Sequence, residues 1–523
     1  MSPGTRYTLR MSLCVALGGF LMGFDASVIA GVVTFIEPRF QLDRIELGWA
    51  VASLTLTATI AMLCAGPLSD RVGRRPVLQI AGLLFAVSGI LSALAPTFLW
   101  LVVARMIGGL GVGAALITAP MYIAEISPAP LRGRMVSINQ LNIVVGISLA
   151  FFSNYLILKL GQVDEGLLAP YVRGDAAWRW MLGIETLPAL VFLLALVFVP
   201  ESPRWLVMHG REDEARRILA RAGNAAQADV DIGAVLASIA EQARRADTPL
   251  SELFAPSMRL VLTIGVVMAV LQQITGINAV FFYAPMIFEQ SGIGTDAAFM
   301  QAALVGLTNL VFTVLAILLI DRVGRRPLLF AGLTGVAASL FLLAWGFAGA
   351  SYAVAPAALA GLPEGVDADV LAALAGQAFA DDVAFREAVV GVLGLETWQM
   401  HKAAIVAAAI DIDSGVVLGG VLGFVASFAV SLGPVMWVLF SELFPNRLRG
   451  LAVSVCGLLN SATSFVVQLV FPWELENFGN AATFLIYGIF AAVGLLLVFR
   501  LLPETNGRSL EELETELVGR RLA

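Results

Sequence analysis

Long apolar stretches dominate the chain, and short arginine-rich polar segments punctuate them. Runs of about 20 residues, the length of helix that crosses a bilayer's hydrocarbon, fall near 11–34, 46–68, 77–96, 98–124, 135–158 and 178–199. Six more fall near 258–288, 298–320, 328–350, 415–441, 449–472 and 482–502. The pattern predicts an all-α membrane protein of twelve transmembrane helices in two six-helix halves, 1–200 and 258–502. A cytoplasmic helical linker, 201–257, joins them, and a cytoplasmic tail, 503–523, follows. Glu212 with Arg216 and Asp213 with Arg217 have the i,i+4 spacing of helical ion pairs within the linker. Ser509 and Glu512 have capping-box spacing in the tail.

Composition narrows the function. With 59% hydrophobic residues, 14% charged and a mean hydropathy of +0.87, the chain exceeds what a soluble core can bury, which excludes a soluble enzyme. A net charge of -7 and a pI near 5.1 leave no basic surface for nucleic acid. Cys14, Cys64 and Cys456 all stand in apolar runs and suggest neither a disulfide framework nor a metal site. No cofactor motif is present. Gly109-Leu-Gly-Val-Gly-Ala114 matches a dinucleotide fingerprint, but it lies inside a span without a preceding strand and reads as close helix packing.

The distribution of cations orients the chain. Of the 32 Lys and Arg, Arg39, Arg44, Lys159, Arg173, Arg179, Arg386 and Lys402 fall on one side and Arg105 inside a span. The rest fall on the side of the N-terminus, so the positive-inside rule places both termini in the cytoplasm of a multi-pass protein of the cell (inner) membrane. The first run is longer than a signal sequence, carries Asp25 and reads as a retained span.

The halves repeat each other. Asp70-Arg-Val-Gly-Arg-Arg-Pro76 recurs as Asp321-Arg-Val-Gly-Arg-Arg-Pro327, and Glu125 with Arg132-Gly133 recurs as Glu442 with Arg449-Gly450. Such internal repeats are a common construction of secondary transporters. Asp70 and Asp321 are 251 residues apart but Glu125 and Glu442 are 317, so the second half holds 66 extra residues between its motifs, near 351–413. That stretch carries nine acidic residues and is expected to be an external insertion of two or three short helices.

Ionisable residues inside spans mark function by default. Asp25 and Arg105 are expected to face the interior and pair, with Asp25 exchanging a proton under the control of Arg105; the alternative is a permanent structural ion pair. Glu185 is a second candidate carboxylate. With only His209 and His401 in the chain, a buried proton carrier is a carboxylate. Gln140, Gln272, Gln273, Asn278, Asn309 and Asn460 set amides at membrane depth, and Trp437 adds an aromatic face. Together these suit a neutral polyhydroxylated ligand, while any one alone also fits interhelical packing. The paired loop residues Asp70, Arg71, Arg75, Asp321, Arg322 and Arg326, with Glu125, Arg132, Glu442 and Arg449, suggest cytoplasmic ion-pair networks that latch one state of the carrier.

The chain resembles the sugar porter family of the major facilitator superfamily, and within it the bacterial xylose-proton symporters, over nearly its whole length outside 351–413. The resemblance rests on the duplicated Asp-Arg-Val-Gly-Arg-Arg loops, Pro200-Glu-Ser-Pro-Arg204, Gln272-Gln-Ile-Thr-Gly-Ile-Asn278 and Pro503-Glu-Thr-Asn-Gly507. It implies the major facilitator fold, sugar contacts from Gln140, Gln272, Gln273, Asn278, Asn309, Trp437 and Asn460, and a proton site at Asp25 with Arg105, assisted by Glu185. It also implies that Tyr283 closes the site from outside. Departures from the family pattern are Phe282 before Tyr283, which removes a hydroxyl, Ser461 in place of a tryptophan and Met22 in place of an aromatic residue; together they imply a pocket that is roomier or less stacked.

The expected activity is proton-coupled symport of a monosaccharide by alternating access, with the lipid bilayer as environment and a monomer as the functional unit. A passive sugar uniporter is the first alternative and a non-transporting sugar receptor the second.

Overall fold

The computed structural model describes residues 3–128, 131–162, 172, 174–223, 225–244, 250–354, 359, 361–445 and 447–505. Among these, eleven helices are long and apolar enough to cross a membrane. They supply twelve spans, because the last, Arg449–Leu501, runs through a single non-helical residue, Gly479, at φ 78°. Only a residue free of Cβ strain adopts that conformation cheaply, so the glycine separates the eleventh and twelfth spans with almost no loop. The first six are Pro3–Phe40, Arg44–Val72, Arg74–Ala93, Phe98–Ile126, Arg132–Gln162 and Ala177–Val197. The next four are Pro256–Phe282, Gly294–Ile320, Arg325–Ala348 and Ser414–Leu443.

Contacts group the chain into two compact units. One comprises Met1–Ser27, Ser53–Ala150 and Arg179–Pro249, the other Val28–Ala52, Phe151–Trp178 and Leu250–Ala523. In the first unit, Gly109 and Gly113 of the fourth span lie against the carbonyls of Leu54 and Ala58, where a side chain would not fit. The dinucleotide-like glycines therefore serve helix packing. The linker forms helices Pro203–Met208, Glu212–Ala222 and Ala225–Arg244. Arg216 pairs with Asp213 at 3.3 Å and Asp229 at 2.8 Å. Arg217 donates to the Asp213 carbonyl, so the helix uses an i,i+3 pair and a cross-helix pair in place of the expected i,i+4 pairs. Ser509 and Glu512 lie outside the described residues.

The segment near 351–413 belongs to the second unit. It carries helices Ala368–Leu371, Asp382–Leu393 and Leu395–Ala409. It also forms an unexpected antiparallel sheet, β1 (Ser351–Ala353) between β2 (Ala378–Phe379) and β3 (Ile410–Asp411). Strands of two or three residues are too short for an alternation pattern to appear in the sequence. Tyr352, Leu371, Phe385, Val389, Trp398 and Ile405 make its own apolar core.

Candidate functional site

In the first unit, Asp25, Arg105 and Glu185 are each at most 1% exposed. Arg105 Nη1 donates to Asp25 Oδ1 at 2.7 Å and to the Asp25 carbonyl at 3.1 Å. One turn beyond Arg105, Gly108 has no Cβ to spare: an added methyl would stand 2.6 Å from Asp25 Oδ2 and 2.5 Å from the Ser88 hydroxyl. The sixth span breaks between Ala177–Gly183 and Thr186–Val197, and Glu185 stands at the break. Its carboxyl interacts with that of Asp25. Asp25 Oδ2 and Glu185 Oε1 are buried with no donor among the described residues. The triad thus buries two carboxyls beside a single guanidinium.

The amides gather in the second unit. Gly276, at φ 85°, breaks the seventh span between Arg259–Ile274 and Ile277–Phe282. Gln272 and Gln273 end one piece and Asn278 begins the next, which accounts for the glycine in that motif. Gln273 Nε2 donates to Asn460 Oδ1 at 3.2 Å, and Asn460 Nδ2 to Gln272 Oε1 at 2.8 Å. Asn278 Nδ2 donates to Gln273 Oε1 at 2.9 Å and to Ser464 Oγ at 2.7 Å. Gln468 Nε2 reaches Ser464 Oγ, and its carbonyl accepts from Tyr283 Oη at 3.0 Å. Tyr283 is fully buried and its ring lies 5.3 Å from Phe471. Each of these groups both donates and accepts, so the cluster can exchange its internal bonds for those of a hydroxylated ligand.

Ser464 and Gln468 escape a reading that looks for isolated amides in apolar runs. The signal was present, since Asn460, Ser464 and Gln468 recur every four residues on one helix face. Asn309 is buried in the eighth span and Trp437 is 44% exposed, its ring nearly perpendicular to that of Phe440. Neither hydrogen-bonds to the network among the described residues. Gln140 is an exposed residue of the fifth span in the first unit.

The loop motifs build one ion-pair cluster in each unit, around arginines other than those singled out from the sequence. Arg74 grips Glu125 with Nε and Nη2, both at 3.0 Å, and pairs with Asp70 at 2.9 Å. Glu201 accepts from the Arg74 and Arg75 amides. In the second unit, Arg325 pairs with Glu442 at 2.9 Å and Glu504 accepts from the Arg325 and Arg326 amides. Gly73 and Gly324, at φ 105° and 96°, let each chain turn so that these amides point at the acid. Arg75 and Arg326 bond to carbonyls, including those of Val197 and Phe499. Arg132 and Arg449 bond to those of Ala124 and Phe444. Arg71 and Arg322 make no ion pair among the described residues, and the Asp321 side chain lies outside them. Both clusters close within their own unit.

A further chain of charges runs through the second unit. Lys402 reaches buried Glu37 at 2.5 Å, Glu37 holds Arg44 at 2.6 Å, Arg44 holds Glu476 at 2.8 Å, and Glu476 pairs with Arg386. Two of its links, Lys402 to Glu37 and Arg44 to Glu476, join residues 365 and 432 positions apart, which hides the chain of charges from the sequence.

The family described as "Sugar (and other) transporter" matches residues 11–361 and 376–517. The D-xylose-proton symporter of Escherichia coli is 33% identical over 540 aligned residues, covering 97% of this chain and 95% of that protein. The arabinose-proton symporter of Bacillus subtilis is 32% identical over 508 residues, covering 97% and 94%. The inward-open structure of the xylose transporter XylE from E. coli superimposes with a TM-score of 0.74 at 31% identity, covering 97% of this chain and 99% of that one.

Proposed function

Since this chain belongs to the family of sugar transporters, we propose that it drives a monosaccharide, a pentose such as xylose or a hexose such as glucose, into the cell together with a proton. Sugar transport across the plasma membrane, with no enzymatic step, follows from the family; the proton and the choice of sugar are our reading. The observation that carries it is the triad of Asp25, Arg105 and Glu185, buried with two acids to one base. A pair that only fixed packing would need no second carboxyl. With the proton on, the triad is neutral; with it off, a buried charge disfavours that arrangement and biases the carrier toward another.

The amide cluster of the second unit supports recognition of hydroxyls, with Asn309 and Trp437 of that unit as further proposed sugar contacts; Gln140, in the first unit, is proposed as a sugar contact on the family resemblance alone. Tyr283 is the proposed outer gate. The arginine clusters at Glu125 and Glu442 are proposed to tighten and release as the carrier alternates, now centred on Arg74 and Arg325. Both termini and the linker lie in the cytoplasm and the 351–413 segment outside, with each monomer working alone and the chain divided at 200, 257 and 502. One charge crossing about 100 mV contributes about 2.3 kcal/mol, roughly a fifty-fold concentration ratio, which makes the coupling worthwhile. The test is uptake by Asp25→Asn in proteoliposomes: sugar exchange continues and accumulation against a gradient stops. Accumulation by that variant would overturn the proton assignment.

A further inference from the structure

A cleft lies where the 351–413 segment meets the span ends that adjoin it, entirely within the second unit. The family match is interrupted at 362–375, inside the same segment. The wall of the cleft has an aromatic side. The rings of Tyr352 and Trp398 both pack on Phe385, at 5.7 and 6.3 Å.

It also has polar atoms with nothing to bond. Trp398 Nε1, Asn480 Oδ1 and Gln290 Oε1 are buried without a partner among the described residues, one donor and two acceptors on residues that line the same cleft. Buried polar atoms are nearly always paired with protein or water, so these three are open to the hydroxyls of a ligand. The charges of the wall, in contrast, are satisfied. Lys402, Arg44 and Arg386 are held by Glu37 and Glu476, and Asp382 accepts from the Asn480 amides. A phosphate or carboxylate would have to break an existing ion pair to bind. Burial pushes Glu289 up to about 7 against the pull of Lys402, with Glu37 and Thr295 the other groups that act on it. Its carboxyl therefore both donates and accepts near neutral pH.

We propose that this cleft is a second, outer binding site for a neutral monosaccharide, with the ring's C–H face toward Tyr352 and Trp398 and its hydroxyls on Trp398 Nε1, Asn480 Oδ1 and Gln290 Oε1. The inference rests on the reading of the chain as a monosaccharide carrier and adds a place where sugar is held before it enters the central site. Aromatic walls, and free donors and acceptors that are themselves uncharged, suit a polyol and disfavour its phosphate ester.

Equilibrium dialysis of the purified full-length protein with radiolabelled D-xylose, D-glucose and glucose 6-phosphate tests it. The wild type is expected to bind two molecules of one neutral sugar and none of the phosphate. Gln273→Leu, which disables the central site, leaves one. In that background W398F, which keeps an aromatic ring and removes only the donor, weakens the remaining site about tenfold. Q290L, whose Oε1 has no partner to lose, does the same. A single wild-type site that vanishes in Gln273→Leu overturns the outer site and leaves the carrier reading intact. A second site indifferent to both W398F and Q290L, or one that prefers the phosphate, overturns the assignment to this cleft. No binding of either neutral sugar to the wild type overturns the choice of xylose or glucose as the carried sugar and the outer site with it.

Discussion

Arg105 holds Asp25 twice, by the carboxylate at 2.7 Å and by the backbone carbonyl at 3.1 Å. The second bond ties the guanidinium to the backbone of the first span. In the proposed coupling, Arg105 is the fixed counter-charge and Asp25 the group whose charge changes.

Replacing Arg105 by Met should strand both carboxyls. Removing one partner of a buried pair costs about 3–5 kcal/mol, so a large drop in melting temperature in detergent is expected. The double variant with Asp25→Asn should regain most of the stability without regaining coupling. A wild-type melting curve for the single variant would mean that the pair is not a unit.

The arginine clusters separate residues that the motif alone treats alike. Arg74→Ala breaks a two-point grip on Glu125 at a 3% exposed site, with an expected loss of about 3 kcal/mol or more. Arg71→Ala, exposed and without an ion pair among the described residues, should change stability by less than about 0.5 kcal/mol. Equal losses in a chemical or thermal melt would contradict the assignment. Lysine at 74 should rescue only in part, because a point charge cannot span both carboxylate oxygens.

This contrast shows where the sequence was legible. The spans could be read because a bilayer allows few solutions for twenty apolar residues, and the duplicated motifs could be aligned because they are nearly identical. Which arginine of Arg-Val-Gly-Arg-Arg faces the acid depends on the turn at Gly73, and Arg74 follows that turn. The amides at 272, 273, 278 and 460 stood out against apolar neighbours, whereas Ser464 and Gln468 needed the helical period. Glu37, Arg44, Glu476, Arg386 and Lys402 meet only in three dimensions, so no local pattern marks them. The sheet of the 351–413 segment was hidden by the brevity of its strands.

Gly276 is expected to tolerate no side chain. At φ 85° an L-residue is strained, and an added Cβ would meet the Tyr487 ring. Gly276→Ala should therefore shift the break that separates Gln273 from Asn278 and weaken sugar binding at least about tenfold, roughly 1.4 kcal/mol. Titration of the purified variant checks this; unchanged affinity would show that the break does not position the amides.

Glu289 gives a pH-dependent signature. Burial raises it from 4.5 to about 7, so the folded protein binds this proton more tightly than the unfolded chain. The sign follows: there is no penalty below pH 4.5, and one that grows as pH rises and is complete above about 7, reaching about 3 kcal/mol. Glu289→Gln should remove that penalty, raising the melting temperature relative to wild type at pH 8 and much less at pH 5. Equal effects at both values would contradict the shifted titration.

The central claim is that a proton enters with each sugar through Asp25, and the direct measurement is the external pH of lightly buffered, de-energised vesicles on addition of D-xylose or D-glucose. Transient alkalinisation with the transported sugar, absent in Asp25→Asn while that variant still exchanges sugar, is the expected result. Sugar entry with no change of pH in the wild type, or an undiminished signal in Asp25→Asn, would contradict it.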